Sequence, residues 1–169
     1  MPSQVPTWVL YAPAVTAVAA AFAACFAAWN AWNARRASNA NVLLNVLRDY
    51  RSEEVRQAIR RLQQFRSLSN HRDGFAADYA QRVEQHNPDA DELDGKRRLL
   101  SSFFNSIRAL CENGLLDEDL AADALGRQTL EFAIETLGPL DAAHAHLLGG
   151  GRDNVPYFRQ MVARQFPGG

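Results

Sequence analysis

The chain contains 169 residues, with 18 Lys and Arg residues against 19 Asp and Glu residues, and its apolar content is 47%. These values exclude a disordered chain and suit one globular domain better than two. The formal net charge is −1 and aromatic residues do not alternate with basic ones, so we expect no nucleic-acid partner.

The first 34 residues carry no charged side chain, because Arg35 is the first residue of that kind. Between Val9 and Trp32 the polar residues are only Thr16 and Asn30. A helix over this stretch spans roughly 36 Å, which is enough to cross the hydrocarbon core of a bilayer. The sequence therefore predicts a single N-terminal transmembrane helix.

Residues suited to the membrane interface lie at both ends of this predicted span. Aromatic rings favour the headgroup level, and arginines that follow a span favour the cytoplasmic side. We therefore expect a single-pass protein of the bacterial inner membrane, with its N-terminus outside and its C-terminal domain in the cytoplasm. The predicted interface anchors are Trp8, Tyr11, Trp29, Trp32, Arg35 and Arg36.

Cleavable signals are the alternative interpretation of the same stretch. A secretory signal peptide, or a lipoprotein signal ending before Cys25, needs a basic segment at its start, and no Lys or Arg precedes position 35.

The predicted span has two distinct faces. Small residues at intervals of three and four can let another helix approach closely, although an alanine-rich span also contains such spacings by chance. A bulky stripe of Val15, Val18, Phe22, Phe26 and Trp29 is expected to face lipid. The possible helix-packing face consists of Ala17, Ala21, Ala24, Ala28 and Ala31.

Helical spacing recurs past Arg36, and no stretch alternates apolar and polar residues as a strand does. The sequence predicts an all-α chain in which residues 1–34 form the exterior N-terminus and membrane helix. Residues 35–166 form a cytoplasmic multi-helix bundle, and residues 167–169 fray.

Capping and turn residues divide this bundle into elements. The apolar face Val42–Tyr50 continues the first helix, Ser52 begins a second, and residues 75–83 form a short third that ends at Asn87-Pro88. The longest helix is predicted over about residues 91–113, before Gly114. Its inward residues are predicted to be Leu99, Phe103, Ile107 and Leu110.

The remaining elements follow similar signals. Asp117 caps a helix that ends near Gly126, and the next one is predicted to end at Gly138-Pro139. Pro139 opens a helix to Leu148, residues 149–151 form a glycine hinge, and Asn154 precedes the last helix.

Catalytic, cofactor-binding and metal-binding residues are not predicted. His144 and His146 do not have the spacing of a helical zinc site and are expected at a solvated helix end. The acidic run 89–95 lacks the ligand pattern of a calcium loop. The glycines at 149–151 are not followed by the Lys-Ser or Lys-Thr of a phosphate-binding loop.

Charge is unevenly distributed along the chain. Residues 35–72 hold nine Arg against three acids, whereas residues 112–135 hold seven acids against one Arg. The arginines of residues 48–61 either meet anionic lipid headgroups or pair internally with the later acidic helices. The acidic group Glu112, Asp117, Glu118 and Asp119 is expected to serve capping and solvation.

The chain resembles a family of uncharacterised bacterial proteins with a domain of unknown function. The residues that carry the resemblance are Arg35-Arg36, the helix start 52–55, the segment 103–120 and residues 137–140. The resemblance implies one N-terminal membrane helix, a cytoplasmic all-helical domain and no known catalytic residues.

The expected function is that of a membrane-anchored module without catalysis of its own. Its expected partners are the bilayer and another protein, or a second copy, met through the transmembrane helix or the cytoplasmic domain. No cofactor is expected. The alternative is a subunit of a membrane enzyme whose active site another chain completes.

Overall fold

The computed structural model describes residues 7–69, 74–148 and 153–167, without the side chains of residues 7–15, 18, 36 and 148. The described residues form helices joined by short turns and contain no strand, which confirms the prediction of an all-α chain. The chain divides into two units, Met1–Ala40 and Asn41–Gly169.

The first helix, α1, extends over Thr7–Tyr50, as expected from the apolar face that continues the uncharged start. Among the described residues, no helix combines the length and the apolar character that crossing a membrane requires. The predicted single-pass span is therefore not supported by the structure.

Seven further α-helices lie in the described part of the second unit. A π-helical segment, Ala133–Leu137, joins the sixth helix to the seventh without a break. The helices are α2 (Glu53–Leu68), α3 (Phe75–Glu84), α4 (Pro88–Glu112), α5 (Glu118–Leu125), α6 (Arg127–Phe132), α7 (Gly138–Leu148) and α8 (Val155–Gln165).

Side-chain caps fix three helix starts. Ser52 accepts from the Val55 amide at 3.3 Å, and Asp117 accepts from the Leu120 amide at 3.0 Å, so both predicted caps are confirmed. Asn87-Pro88 was predicted to end α3, but it begins α4 instead. The Asn87 side chain caps that helix, and proline fits a first helical position because its missing amide is not needed there.

The prediction that Gly138-Pro139 ends a helix is wrong. Helical backbone continues from Arg127 to Leu148 because the π-helical segment precedes Gly138 and places Pro139 in the first turn of α7. There the missing amide of proline costs little. The predicted glycine hinge at 149–151 lies outside the described residues.

Helix α4 supplies much of the core, but its buried face is offset from the predicted one. Ile107 is buried as predicted, whereas Phe103 is only partly buried and stacks on Tyr50 with ring centroids 6.0 Å apart. Leu99 and Leu110 also lie at the core edge. The fully buried positions of this helix include Leu93, Leu100, Phe104 and Ile107.

We expect Gly138→Ala to destabilise the protein. A Cβ atom at Gly138 would lie 2.2 Å from Cγ2 of Val155, so the Val155 side chain or α8 must shift, at about 1–3 kcal/mol. The matched control is Gly95→Ala in α4, where a Cβ meets no atom within 4 Å and helix propensity predicts a gain of about 0.5–1 kcal/mol. Urea unfolding of the full chain in mild detergent, followed by circular dichroism, measures both. Equal effects at the two glycines would contradict the packing argument.

Candidate functional site

Charged and hydroxyl side chains are buried where α3, α4 and α7 pack together. At the centre is Arg97, whose side chain is 7% exposed, beside Asp94, which is 9% exposed. Burial of paired charges is uncommon, and such groups sometimes mark functional sites. We refer to Tyr79, Asp94, Arg97, Ser101 and Asp141 as the Arg97 cluster.

Helix α4 contributes three members of the Arg97 cluster. Asp94, Arg97 and Ser101 follow one another at intervals of three and four residues, which places them on one side of the helix. Tyr79 comes from α3 and Asp141 from α7. The cluster therefore connects three separate helices.

Arg97 bonds to two carboxylates. Its Nε and Nη2 atoms donate to Asp94 Oδ1 at 2.9 and 2.8 Å, and its Nη1 atom donates to Asp141 Oδ1 at 2.6 Å. Asp94 Oδ1 also accepts from the Tyr79 hydroxyl at 2.7 Å. Charge-assisted bonds of this kind are stronger than neutral ones.

The remaining carboxylate oxygens also have partners. Ser101 Oγ lies 2.6 and 2.8 Å from the two oxygens of Asp141, and Nε of the exposed Arg98 donates to Asp94 Oδ2 at 2.7 Å. Among the described residues, no buried side-chain nitrogen or oxygen lacks a hydrogen-bond partner. The Arg97 cluster is thus fully satisfied within the chain.

The surroundings hold Tyr79, Asp94 and Arg97 in their ordinary charge states. Burial and the hydrogen bond to Asp94 raise the pKa of Tyr79. Burial opposes ionisation of Asp94, but hydrogen bonds from Tyr79 and Arg97 outweigh it and lower the pKa of this carboxyl. Burial also opposes the charge on Arg97, but its bonds to Asp141 and Asp94 raise the pKa of the guanidinium.

These pKa directions bear on what the cluster can do chemically. General acid–base catalysis works best when a group titrates near the operating pH, and Tyr79, Asp94 and Arg97 are all moved away from neutrality. Within the described residues, no group of three or more His, Cys, Asp or Glu side chains is placed to hold a metal ion. The Arg97 cluster is thus arranged as a set of ion pairs and hydrogen bonds that connects three helices.

The two histidines of α7 differ from each other. His146 is exposed, as predicted, but His144 is partly buried and its Nε2 atom lies 3.6 Å from Asp94 Oδ1. Burial and the positive charge of Arg97 lower the pKa of His144. Its neutral form is therefore favoured beside the cluster.

A second polar group connects α5 to α8. Glu118 accepts from the Tyr157 hydroxyl at 2.9 Å and from Arg164, which also pairs with Asp119 at 3.2 Å. Hydrogen bonding from Arg164 lowers the pKa of Glu118. Glu118 and Asp119, predicted to serve capping and solvation, therefore also hold α8 in place.

The predicted residues of the first unit are exposed where the structure describes their side chains. Trp29 and Trp32 are 60% and 49% exposed, with ring centroids 5.8 Å apart, and Arg35 is exposed. The side chains of Trp8, Tyr11 and Arg36 lie outside the described residues. All members of the predicted packing face, Ala17, Ala21, Ala24, Ala28 and Ala31, are exposed.

In the part of the chain that the structure describes, two of the arginines of residues 48–61 form ion pairs within their own helix, α2, and one forms an ion pair with α4. Arg56 and Arg60 bond to Glu53 of α2, whereas Arg61 reaches Glu92 of α4 at 3.5 Å. Among the described residues, the ion-pair partners of these three arginines lie outside residues 112–135, and Arg66, which is not in this group, pairs with a later acidic residue, Glu135, at 3.1 Å.

Sequence reasoning missed the Arg97 cluster. Asp94 was considered only as part of an acidic run, and Asp141 lies 44 residues from Arg97 in sequence. The available signal was the spacing of Asp94, Arg97 and Ser101 on an otherwise apolar face of α4. That signal gives no indication of the partners on α3 and α7.

A match to the family described as Domain of unknown function (DUF4760) covers residues 17–140, which is more than half of the chain. The chain belongs to the DUF4760 family. The match to DUF4760 includes Tyr79, Asp94 and Arg97 and ends one residue before Asp141. Comparison with curated proteins and with solved structures finds no match.

Membership of the DUF4760 family confirms the resemblance to an uncharacterised domain family. The matched range begins inside α1, so it includes apolar residues of the first unit as well as most of the second. The membrane helix and the bacterial origin that the resemblance implied stay predictions.

We expect Asp94→Asn to destabilise the fold by about 2–4 kcal/mol, because it leaves the buried Arg97 charge with Asp141 as its only anionic partner among the described residues. The matched control is Asp91→Asn, an exposed acid in the first turn of α4, for which we expect less than about 1 kcal/mol. Urea unfolding at neutral pH measures both. Similar small losses of unfolding free energy for the two variants would show that the Arg97 cluster contributes little to stability.

The same comparison has a defined pH dependence. The folded-state pKa of Asp94 is lowered. The stability that its ionised carboxyl contributes is therefore complete above the unfolded-state pKa of about 3.9, and it is lost as the pH falls through the folded-state pKa. The stability difference between the wild type and Asp94→Asn should therefore shrink below about pH 4. A difference that stays constant down to acid unfolding would contradict this assignment.

Proposed function

We propose that this DUF4760 protein is a helical interaction module that acts by contact, with the first part of α1 as its attachment element. The observation that carries the proposal is the exposure of Phe22, Phe26 and Trp29, which are 73%, 67% and 60% exposed. Large apolar side chains that are exposed along one face of a helix are typical of an interaction surface.

These three aromatic residues lie on one face of α1. Intervals of four and three residues bring positions 22, 26 and 29 to the same side of a helix. Phenylalanine and tryptophan each bury about 150–250 Å² when covered, so this face offers a large gain in free energy to any apolar environment that covers it. We refer to Phe22, Phe26 and Trp29 as the aromatic face.

A bilayer is the environment that the composition of this segment fits best. No charged side chain precedes Arg35, and the exposed Trp29, Trp32 and Arg35 follow the order that interfacial residues take at the cytoplasmic end of a span. We propose a single-pass attachment to the inner membrane with the C-terminal domain in the cytoplasm. This attachment is supported by composition and by side-chain exposure. No helix among the described residues meets the length and apolar character needed to cross a membrane.

The alanine face of α1 is proposed to contact another protein helix. Ala17, Ala21, Ala24, Ala28 and Ala31 are exposed, and their spacing places them opposite the aromatic face. When bulky residues face lipid, a smooth face allows the backbone of a neighbouring helix to approach closely. The partner is a second copy or another membrane protein.

The protonation states within the Arg97 cluster favour a function in binding over a function in catalysis. It is the most densely charged buried region of the described chain, and its partners hold Tyr79, Asp94 and Arg97 away from neutral-pH proton transfer. The alternative of an enzyme subunit would need its reacting groups from another chain.

We expect the full chain to stay in the membrane fraction during alkaline carbonate extraction. Replacing Phe22, Phe26 and Trp29 together with serine should release a large part of it, because the apolar gain of the aromatic face is lost. A reporter fused after Gly169 should be active only if it works in the cytoplasm. Activity of a periplasm-only reporter at that position would overturn the orientation.

We expect Ala24→Leu with Ala28→Leu to weaken association by about tenfold or more, because leucines hold the neighbouring helix away. The matched control is Ala19→Leu with Ala23→Leu, which adds the same volume on the side of the aromatic face. Light scattering in mild detergent and co-purification from membranes measure self-association and partner binding. Equal effects of both pairs would contradict the assignment of faces. A turnover activity that is present in the associated chain and disappears when association is lost would favour the enzyme alternative.

A further inference from the structure

A cavity of about 340 Å³ lies between the π-helical segment, the start of α7 and α8. Its volume is within the range of sites that hold small molecules. Its lining includes the buried side chains of Phe104, Leu137 and Phe158 and the partly exposed Ile134 and Ala145. The interior of the cavity is therefore mainly apolar.

Local backbone features create this cavity. π-Helical turns are rare and often occur at functional sites, and here the segment Ala133–Leu137 forms one wall. Gly138 lets Val155 approach so closely that a Cβ atom would overlap it. The start of α8 is thus fixed against the start of α7 at one end of the cavity.

Most polar groups around the cavity already have partners. Asp141 accepts from Arg97 and Ser101, and the Asp153 carboxylate accepts from the Val155 amide at 2.9 Å. The Asn154 side chain accepts from Arg108 and donates to Asn105. Asp141 and Asn154 therefore offer little to an additional ligand, whereas the exposed Asp153 carboxylate accepts from one backbone amide and forms no ion pair among the described residues.

Arg159 is the available cation among the described residues of the cavity. It lines the cavity from α8 and is exposed, and within the described residues it forms no hydrogen bond and no ion pair. A guanidinium presents several donors in a planar arrangement that matches a carboxylate. The cavity thus combines an apolar interior with an available cation at its edge.

We propose that this cavity binds an unbranched aliphatic monocarboxylate, with its hydrocarbon chain against Phe104, Leu137 and Phe158 and its carboxylate on Arg159. Arg159 favours an anion over an amine, because an ammonium group placed there would be repelled and would find the carboxylate of Asp141 already bonded to Arg97 and Ser101. The other carboxylate of the lining, Asp153, is exposed. Chain burial should raise affinity until the cavity is filled. The site is independent of the contacts proposed for α1.

The test uses the full chain in lipid nanodiscs and octanoate labelled with carbon-13 at its carboxyl group. Titration followed by nuclear magnetic resonance should show saturable binding to one site above the level of empty nanodiscs. Octylamine and octanol, which have the same chain, should bind at least about tenfold more weakly, because they lack the charge-assisted bonds to Arg159. Butyrate should also bind more weakly, because it buries less hydrocarbon.

Two variants separate the head-group and chain contacts. Arg159→Gln should weaken octanoate binding by about tenfold or more, whereas the matched control Arg48→Gln, at an exposed arginine of α1, should leave it unchanged. Ala145→Leu should reduce binding of octanoate and octanol alike by filling the cavity. Circular dichroism checks that each variant remains folded.

Three results would overturn the proposal. These are the absence of saturable octanoate binding to the wild type, equal binding of octylamine and octanoate, and equal effects of Arg159→Gln and Arg48→Gln. The head-group comparison needs only the wild type, so it decides the question even if a variant fails to fold.

Discussion

The pairing of Arg97 with two carboxylates is the interaction on which the arrangement of α3, α4 and α7 depends. A buried guanidinium is costly unless its charge and its donors are matched. Asp94 matches it from the same helix and Asp141 matches it from α7, while Tyr79 of α3 donates to the shared oxygen of Asp94. Apolar packing alone would tolerate small rotations of these helices, whereas this set of directional bonds favours one relative placement.

The π-helical segment has a related consequence for α8. Its wider turn lets the chain pass from α6 into α7 through Gly138-Pro139 without ending the helix, and Gly138 leaves room for Val155. The ion pairs of Glu118 and Asp119 with Arg164 then hold the other end of α8. Close packing at one end and charge at the other thus define a helix whose inner side closes the apolar cavity.

Much of the fold was predictable because its signals are local. Caps at Ser52 and Asp117 satisfy the free amides of their own helices, so neighbouring residues suffice to recognise them. The buried face of α4 was only partly predictable, since Phe103 and Phe104 are adjacent and the choice between them depends on helices from distant parts of the chain. The Arg97 cluster was not predictable as a site, because Asp141 and Tyr79 reach Arg97 only through tertiary packing.

The described contacts separate structural groups from those that remain available for binding. Arg97 and Glu118 of the second unit are bonded to other residues of that unit, and their pKa directions oppose a change of charge state near neutral pH. The aromatic face of α1, by contrast, is uncovered and lies within the segment matched by the DUF4760 family. An exposed apolar side chain lowers the free energy when it is later covered, either by insertion into a bilayer or by association with a protein. The proposed function by contact rests on this uncovered apolar surface.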